Sequence, residues 1–405
     1  MPVGMQAFRG KRLREARLAR GLYMNALGDM LGITGTAISR YEDDIDKPQQ
    51  DRAVAIAKHL NFPLEFFLQP EWPEPPQIVH WRSRSAETKY AREMTEQRMI
   101  WMCELFSYLE RDVNFPVLSL PDLNLPDFRA LTPSLIEATA ETVRKHWKLR
   151  DLPIPDACLA LENAGIPVVN LEITSEKQDG FCFRSEALGR PFVGINTLHI
   201  SCARARYDVA HELGHIVLHR EVTPQQLRDP LLNKQIEQQA HRFAGAFLFP
   251  REAFRFEVTR PSLDYFCALK KRWGMSVAAM IYRAFDLDMI DEQEKSVLYR
   301  NLTRRGWRGP LQEPFDSPSE MPIERPRMIR RGMRVVVELG TSKAAIKAAL
   351  NLPEKEIEQI AGLEPGFFRP AAEVHSLAMA KRPPLKAVDV ESGEVIEFPH
   401  ATKRS

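Results

Sequence analysis

The pentad His211-Glu212-Leu213-Gly214-His215 constrains this chain more than any other stretch, because it can serve one purpose only on a helix. Residues four apart share a helix face, so two imidazoles there can reach a single ion while the intervening glutamate stands beside the ion's water. The flanking sequence supports a helix from about Ser201 to His219, where Ala205, Val209, Leu213 and Ile216 recur at intervals of 4, 4 and 3 residues. Asp208, His211 and His215 fall on an adjoining face. A single histidine on such a helix is usually packed core. A pair enclosing a glutamate is the arrangement of a zinc peptidase. Gly214 costs a helix about 0.5–1 kcal/mol relative to alanine, which is tolerable where something must approach closely.

A catalytic zinc needs a third protein ligand and leaves one position for water. The metzincin continuation is absent, since Leu218 and Glu221 stand where it has Gly and His. The next helical run, Glu237-Gln238-Gln239-Ala240-His241-Arg242-Phe243-Ala244, is the better source. Glu237 follows His215 by 22 residues (237 minus 215), enough for a loop and a returning helix. Ala240, Phe243, Ala244 and Phe247 bury one side of it, and its alanines allow close approach. Glu237 is therefore assigned as third ligand and His241 as the residue that orients an imidazole from behind. The reverse, with His241 on the metal, stays open. His219 is read as a helix C-terminal cap.

Organisation follows from breaks in pattern. Residues 9–69 read as a small helical unit: Arg9–Arg20, Met24–Leu31, a third helix capped by Thr34, and a fourth capped by Asp51. The run Pro70-Glu71-Trp72-Pro73-Glu74-Pro75-Pro76 cannot hold helix. A long helix is expected over Ala86–Val113. Helices over Thr132–Trp147 and Pro155–Ala164 precede candidate strands at Ile166–Ile173, Gly180–Arg184 and Pro191–Asn196. Phe192–Asn196 reads either as a sheet edge that pairs with extended substrate or as an ordinary buried strand. The last hundred residues are weaker in pattern, with one helical stretch near Lys343–Leu350.

The run from Arg206 through His219, followed by Glu237-x-x-Ala240-x-x-Phe243-Ala244 and Leu248-Phe249-Pro250, resembles the ImmA/IrrE metallopeptidases over roughly Leu131–Pro250. That resemblance implies a minimal gluzincin-like fold, with His211, His215 and Glu237 holding Zn2+ and Glu212 as general base. It also implies a regulated endopeptidase whose relatives cut helix-turn-helix repressors. For the oxyanion the sequence offers Tyr207, Tyr282 and Arg283, each of which reads more readily as structural packing. Asp208 is assigned to support the ligands from behind.

Residues 12–68 resemble the XRE-type helix-turn-helix fold, carried by Leu13-Arg14-x-Ala16-Arg17, Gly21-Leu22, Leu31-Gly32-Ile33-Thr34 and Ile38-Ser39-Arg40-Tyr41-Glu42. Thr34, Gly35, Thr36, Ser39 and Arg40 would meet base edges of double-stranded DNA. Arg9, Lys11, Arg12, Arg14, Arg17 and Arg20 would meet phosphates. Two departures stand against duplex binding: Tyr23-Met24 replaces the usual polar pair, and Glu42, Asp43, Asp44 and Asp46 repel phosphate. A protein-binding use of the module therefore stays open.

The expected fold is multidomain and mainly α. Residues 1–69 form an all-α helix-turn-helix, and 70–126 a Pro-rich linker with a connecting helix. An α+β minimal gluzincin-like peptidase core with a small sheet spans 127–255. A helical extension at 256–309 and a region at 310–405 complete a mostly helical C-terminal part. A net charge of +2 announces no global nucleic-acid or membrane partner. No apolar run reaches membrane-spanning length, and five scattered cysteines without a C-x-x-C pair suit a reducing cytoplasm. The function read from these features is a zinc endopeptidase with a DNA-binding head, acting on a repressor or antitoxin-like protein, with a homodimer left open. The rival is a regulator whose peptidase fold senses and does not cleave.

Overall fold

Four short helices open the chain: α1 (Gly10–Ala19), α2 (Met24–Leu31), α3 (Gly35–Glu42) and α4 (Gln50–Leu60). The computed structural model describes residues 4–73, 77–83, 89–171, 178–369, 386–388 and 395–397. The Thr34 hydroxyl accepts from the Ala37 amide at 3.2 Å, capping α3 as expected. Helix α4 starts two residues earlier than expected (51 minus 49), with Gln49 at its N-cap and Asp51 in its first turn. Leu13, Ala16, Leu27, Ile38 and Ile56 are all fully buried. The tight turn from α2 to α3 favours glycine at position 28, because a Cβ there would come within 2.7 Å of the Ile33 carbonyl oxygen.

The expected phosphate-binding face of α1 is corrected. Arg9, Lys11 and Arg14 are exposed, whereas Arg12 and Arg17 are buried and Arg20 is half-buried. Arg17 grips Glu42 through Nε at 2.5 Å and Nη2 at 2.8 Å. Arg12 pairs with Glu15 and with Glu104 of α5 (Lys89–Leu109). Buried arginines need such partners, so this side of α1 serves the interior. Phe62 and Phe66 pack edge-on to Trp101 of α5, with centroids 5.6 and 6.2 Å away. The helical head is thereby docked along α5.

Before α5 the stretch expected to be linker contains a strand, β1 (Gln77–Ser83). The prolines at 75 and 76 lie outside the described residues. Then follow α6 (Pro133–His146), α7 (Ala157–Asn163), β2 (Val168–Asn170), β3 (Gln178–Ser185), β4 (Arg190–Ile195), α8 (Cys202–Leu218), α9 (Pro224–Arg228) and α10 (Pro230–Leu248). The sheet order is β1-β3-β4-β2, with β2 parallel to β4 and the other pairs antiparallel. Strand β4 is interior. Phe192–Ile195 is thus a buried strand, and the edge reading of that segment is corrected because both of its sides are already hydrogen-bonded.

Helix α8 packs across the sheet and against α10. Val209, Leu213, Phe243, Ala244 and Phe247 share one core with Val193 and Ile195. Gly214 permits this crossing, since a Cβ there would sit 3.2 Å from Ala240 Cα and from its carbonyl oxygen. The close neighbour that the sequence required is α10.

A second core lies under α11 (Arg251–Glu257), α12 (Leu263–Trp273), α13 (Val277–Asp286) and α14 (Glu292–Arg304). Beyond it come α15 (Met328–Glu338), α16 (Lys343–Leu350) and α17 (Glu354–Ala361). Residues 313–361 are tied back through buried charge. Lys270 bonds Glu313 at 2.8 Å and Asp316 at 2.6 Å, and Glu356 receives Arg20 of the head at 2.7 Å. A second unit covers 368–405, where β5 (Lys386–Val388) pairs antiparallel with β6 (Val395–Glu397). Among the described residues no helix is long and apolar enough to cross a membrane.

The Glu162 carboxylate receives the Arg327 and Met328 amides, both at 2.8 Å, at the start of α15. Burial pushes its pKa up to about 7 against those bonds. A folded pKa raised this way contributes stability below the ordinary carboxylate range and loses it as pH rises through 7. Glu162→Gln should therefore match wild type near pH 4 and exceed it at pH 8 by about 1–3 kcal/mol, read by urea titration at both pH values. Equal curves at both would remove Glu162 as the source.

Candidate metal centre

Helix α8 is capped at its start by Ser201, whose hydroxyl accepts from the Arg204 amide at 3.3 Å. Helix α10 is capped by Asp229 with Pro230 at its first position, and both devices satisfy amides that the helix leaves unbonded. These starts, with the Gly214 crossing, set the register that faces His211 and His215 toward Glu237. His211 Nε2 lies 3.0 Å from His215 Nε2. Glu237 brings Oε2 to 3.4 Å from His211 Nε2 and Oε1 to 3.6 Å from His215 Nε2. Two ligands at ~2.1 Å from a tetrahedral ion stand about 3.4 Å apart, so these three spacings fit donors shared by one small cation. His241 Nε2 is 4.0 Å from Glu237 Oε2, and its ring centre is 4.4 Å from that of His211.

His211, Glu212 and His215 are fully buried, while the Glu237 and His241 side chains are 23% and 31% exposed. The cluster therefore opens on the α10 side. Glu212 lies against β3, where a Cβ on Gly180 would come within 3.1 Å of its Oε1. A larger residue at position 180 would press on the carboxylate.

Behind the cluster runs a hydrogen-bond relay that the sequence did not reveal. The Gln239 amide nitrogen donates to the Phe128 carbonyl at 2.7 Å, so its oxygen faces His219 Nε2 at 3.0 Å and accepts. His219 Nε2 then carries the proton, and Nδ1 of the neutral ring accepts from His215 Nδ1 at 3.0 Å. The network thus assigns the tautomer that leaves the His215 Nε2 lone pair directed at His211 and Glu237. His219 does occupy the α8 C-cap, but its ring does more than cap. Gln239→Leu should weaken metal binding about 10–100-fold with the fold retained, measured by competition with a chromogenic chelator. An unchanged affinity would deny the relay its role.

The remaining expected residues each have a partner of their own. Asp208 is buried and accepts from Arg204 Nε at 3.0 Å, one turn before His211. Arg283 is buried in a bidentate pair with Glu137 at 2.6 and 2.7 Å and donates to the Phe249 carbonyl. Tyr282 lies over Lys295. Of the three oxyanion candidates, Tyr207 reaches the cluster, its hydroxyl standing 3.3 Å from His241 Nδ1. Asp156, Cys158 and Glu324 also gather within ligand distance of one another. Arg206 is already the cation there, and Glu324 accepts from the Ala157 amide at 2.8 Å. Burial holds the Cys158 thiol well above its ordinary pKa, whereas a metal requires the thiolate.

On the head, Thr34, Thr36 and Arg40 are exposed along α3, and Gly35 and Ser39 are half-buried. Arg40 holds Asp46 at 2.6 and 3.1 Å, and Asp44 receives the Gly10 amide at 2.8 Å and Lys47 at 2.6 Å. The acidic run that opposed DNA binding is thus engaged within the head.

Together these features define a helix-turn-helix domain fused to a metallopeptidase-like domain. Residues 13–67 match the family model described as Helix-turn-helix, and residues 161–285 match that of the IrrE N-terminal-like domain. The HTH-type transcriptional regulator PuuR of Escherichia coli is 38% identical over 71 residues, which are 17% of this chain and 38% of that protein. An uncharacterized HTH-type transcriptional regulator of Rickettsia conorii is 31% identical over 77 residues, 19% of this chain and 62% of the relative. The chain therefore spans less than two thirds of these curated relatives.

Proposed function

We propose that this chain is a zinc-dependent regulatory endopeptidase with a DNA-binding head, working in the cytoplasm on a repressor or antitoxin-like protein. The observation that carries the reading is the convergence of His211 Nε2, His215 Nε2 and both Glu237 oxygens, with the Glu212 carboxylate buried beside them. His211, His215 and Glu237 would hold the ion and His241 would orient an imidazole; the reverse, with His241 on the metal, has in its favour that His241 gathers with His211 and Glu237 within ligand distance. Zinc held there would supply Lewis acidity toward a carbonyl and toward water. Glu212 takes the proton from the attacking water and delivers it to the leaving amine. Its burial keeps that carboxylate out of bulk solvent, and Gly180 leaves space in which it can turn. Tyr207, whose hydroxyl donates to the His241 carbonyl at 3.1 Å, would turn that hydroxyl to developing negative charge on the substrate's carbonyl oxygen.

The exposed row Thr34, Thr36 and Arg40 supports docking of α3 in a major groove. Arg9, Lys11 and Arg14 remain for phosphate contacts. All five cysteines are free, in keeping with a reducing compartment. The test compares wild type with Glu212→Gln in the native cell by terminal-peptide proteomics. New protein termini that vanish in the variant support cleavage. Identical termini, with zinc still bound, make the domain a sensor and overturn the endopeptidase reading.

A further inference from the structure

Strand β1 covers the outer edge of β3, the strand that lies against Glu212. It is supplied from upstream of α5, far from the strands it completes. The pairing is antiparallel, with Arg82 opposite Gly180, Trp81 opposite Phe181 and His80 opposite Cys182. Gly180 is the residue whose missing Cβ leaves 3.1 Å to Glu212 Oε1. A backbone paired to β3 at that level runs alongside the residue that abuts the buried glutamate.

An extended polypeptide can bind a sheet edge through main-chain hydrogen bonds alone. Among the described strands, the β3 edge is the one that would bring such a backbone alongside Glu212, and β1 already holds it. We infer that β1 is a resident blocker, occupying in cis the strand position that a substrate segment takes during cleavage. This rests on the endopeptidase reading and deepens it by naming both the substrate's binding mode and its control. The β1–β3 ladder is irregular, with register shifts between Ile78 and His80 and between Arg82 and Ser83. Two interruptions in seven residues leave a weaker hold than an unbroken ladder, which suits a strand that must leave. The next element along the chain, α5, is the one on which the head docks. A signal received by the head therefore has a covalent route to β1.

Two adjacent amides of a strand point to opposite sides, so Trp81→Pro with Arg82→Pro removes one ladder bond whichever amide faces β3. The probe is a fluorescein-labelled peptide copying Gln77–Ser83, added to the full chain without substrate. The double variant is expected to bind it at least tenfold more tightly than wild type, with β3 amides exchanging faster while α8 amides keep their protection. Equal binding by both chains, or by neither, overturns the proposal. A second variant perturbs folding less: His80→Cys, opposite the native Cys182, permits a cross-strand disulfide. Locking β1 should slow exchange in β3 at least tenfold, and unchanged exchange would mark β1 as an ordinary permanent strand. Neither readout requires a bond to be cut. Failure to find Glu212-dependent termini would leave these results intact, and their failure would leave cleavage intact.

Discussion

A Glu212→Gln chain is expected to keep its metal and its melting behaviour while losing about 10²–10⁴-fold in cleavage rate. The substitution preserves size at a fully buried position between α8 and β3 and touches none of His211, His215 or Glu237. It removes only the group that can carry a proton between water and leaving amine. His211→Ala should behave differently, losing the metal together with activity, because it deletes one of three converging donors. Elemental analysis beside rate measurement separates the two. Should Glu212→Gln cut at the wild-type rate, Glu212 has no part in the chemistry.

Arg283→Met should cost on the order of 3–5 kcal/mol, the largest stability effect expected in the chain. Arg283 and Glu137 are buried together, and the pair joins α6 to α13 beneath α10. Removing the guanidinium strands a buried carboxylate. Arg242 still stands 3.2 Å from Glu137, which places the loss toward the lower end of that range. Hydrogen exchange in α6 and α10 reads the effect directly. Arg283→Met with Glu137→Leu should recover part of it, since the buried carboxylate is gone while Arg242 keeps Asp286 and Arg251 keeps Glu141. A single variant with wild-type exchange would show that Arg242 and Arg251 together sustain Glu137.

The helices and the inner strands were legible because their signals are local. Apolar residues at helical spacing marked α8 and α10, and Thr34 announced the start of α3 by its cap chemistry. The face that unites His211 with His215 needed nothing beyond helix geometry. What remained hidden depends on contacts between distant segments. Gln239 looks like any polar residue of an amphipathic helix until packing brings it to His219 and Phe128. Strand β1 is set among prolines, and its partner lies a hundred residues further on, so pairing rather than propensity defines it. The basic face of α1 misled for the same reason. Sequence counts arginines, but only the fold shows that Arg12 and Arg17 point at Glu104 and Glu42.

The docking of the head on α5 bears on how such a chain can be taken apart and recombined. A proline-rich boundary near residue 70 invites excision of the first 69 residues as a portable module. That cut would expose Trp101 on one side and Phe62 with Phe66 on the other, and would take Arg12 from Glu104 and Arg20 from Glu356, leaving Glu356 with Arg98. Exchange of heads between relatives must therefore carry α5 and α17 along, or re-create their aromatic and acidic surface. The unit that can be inherited or transplanted is larger than the DNA-binding fold it contains.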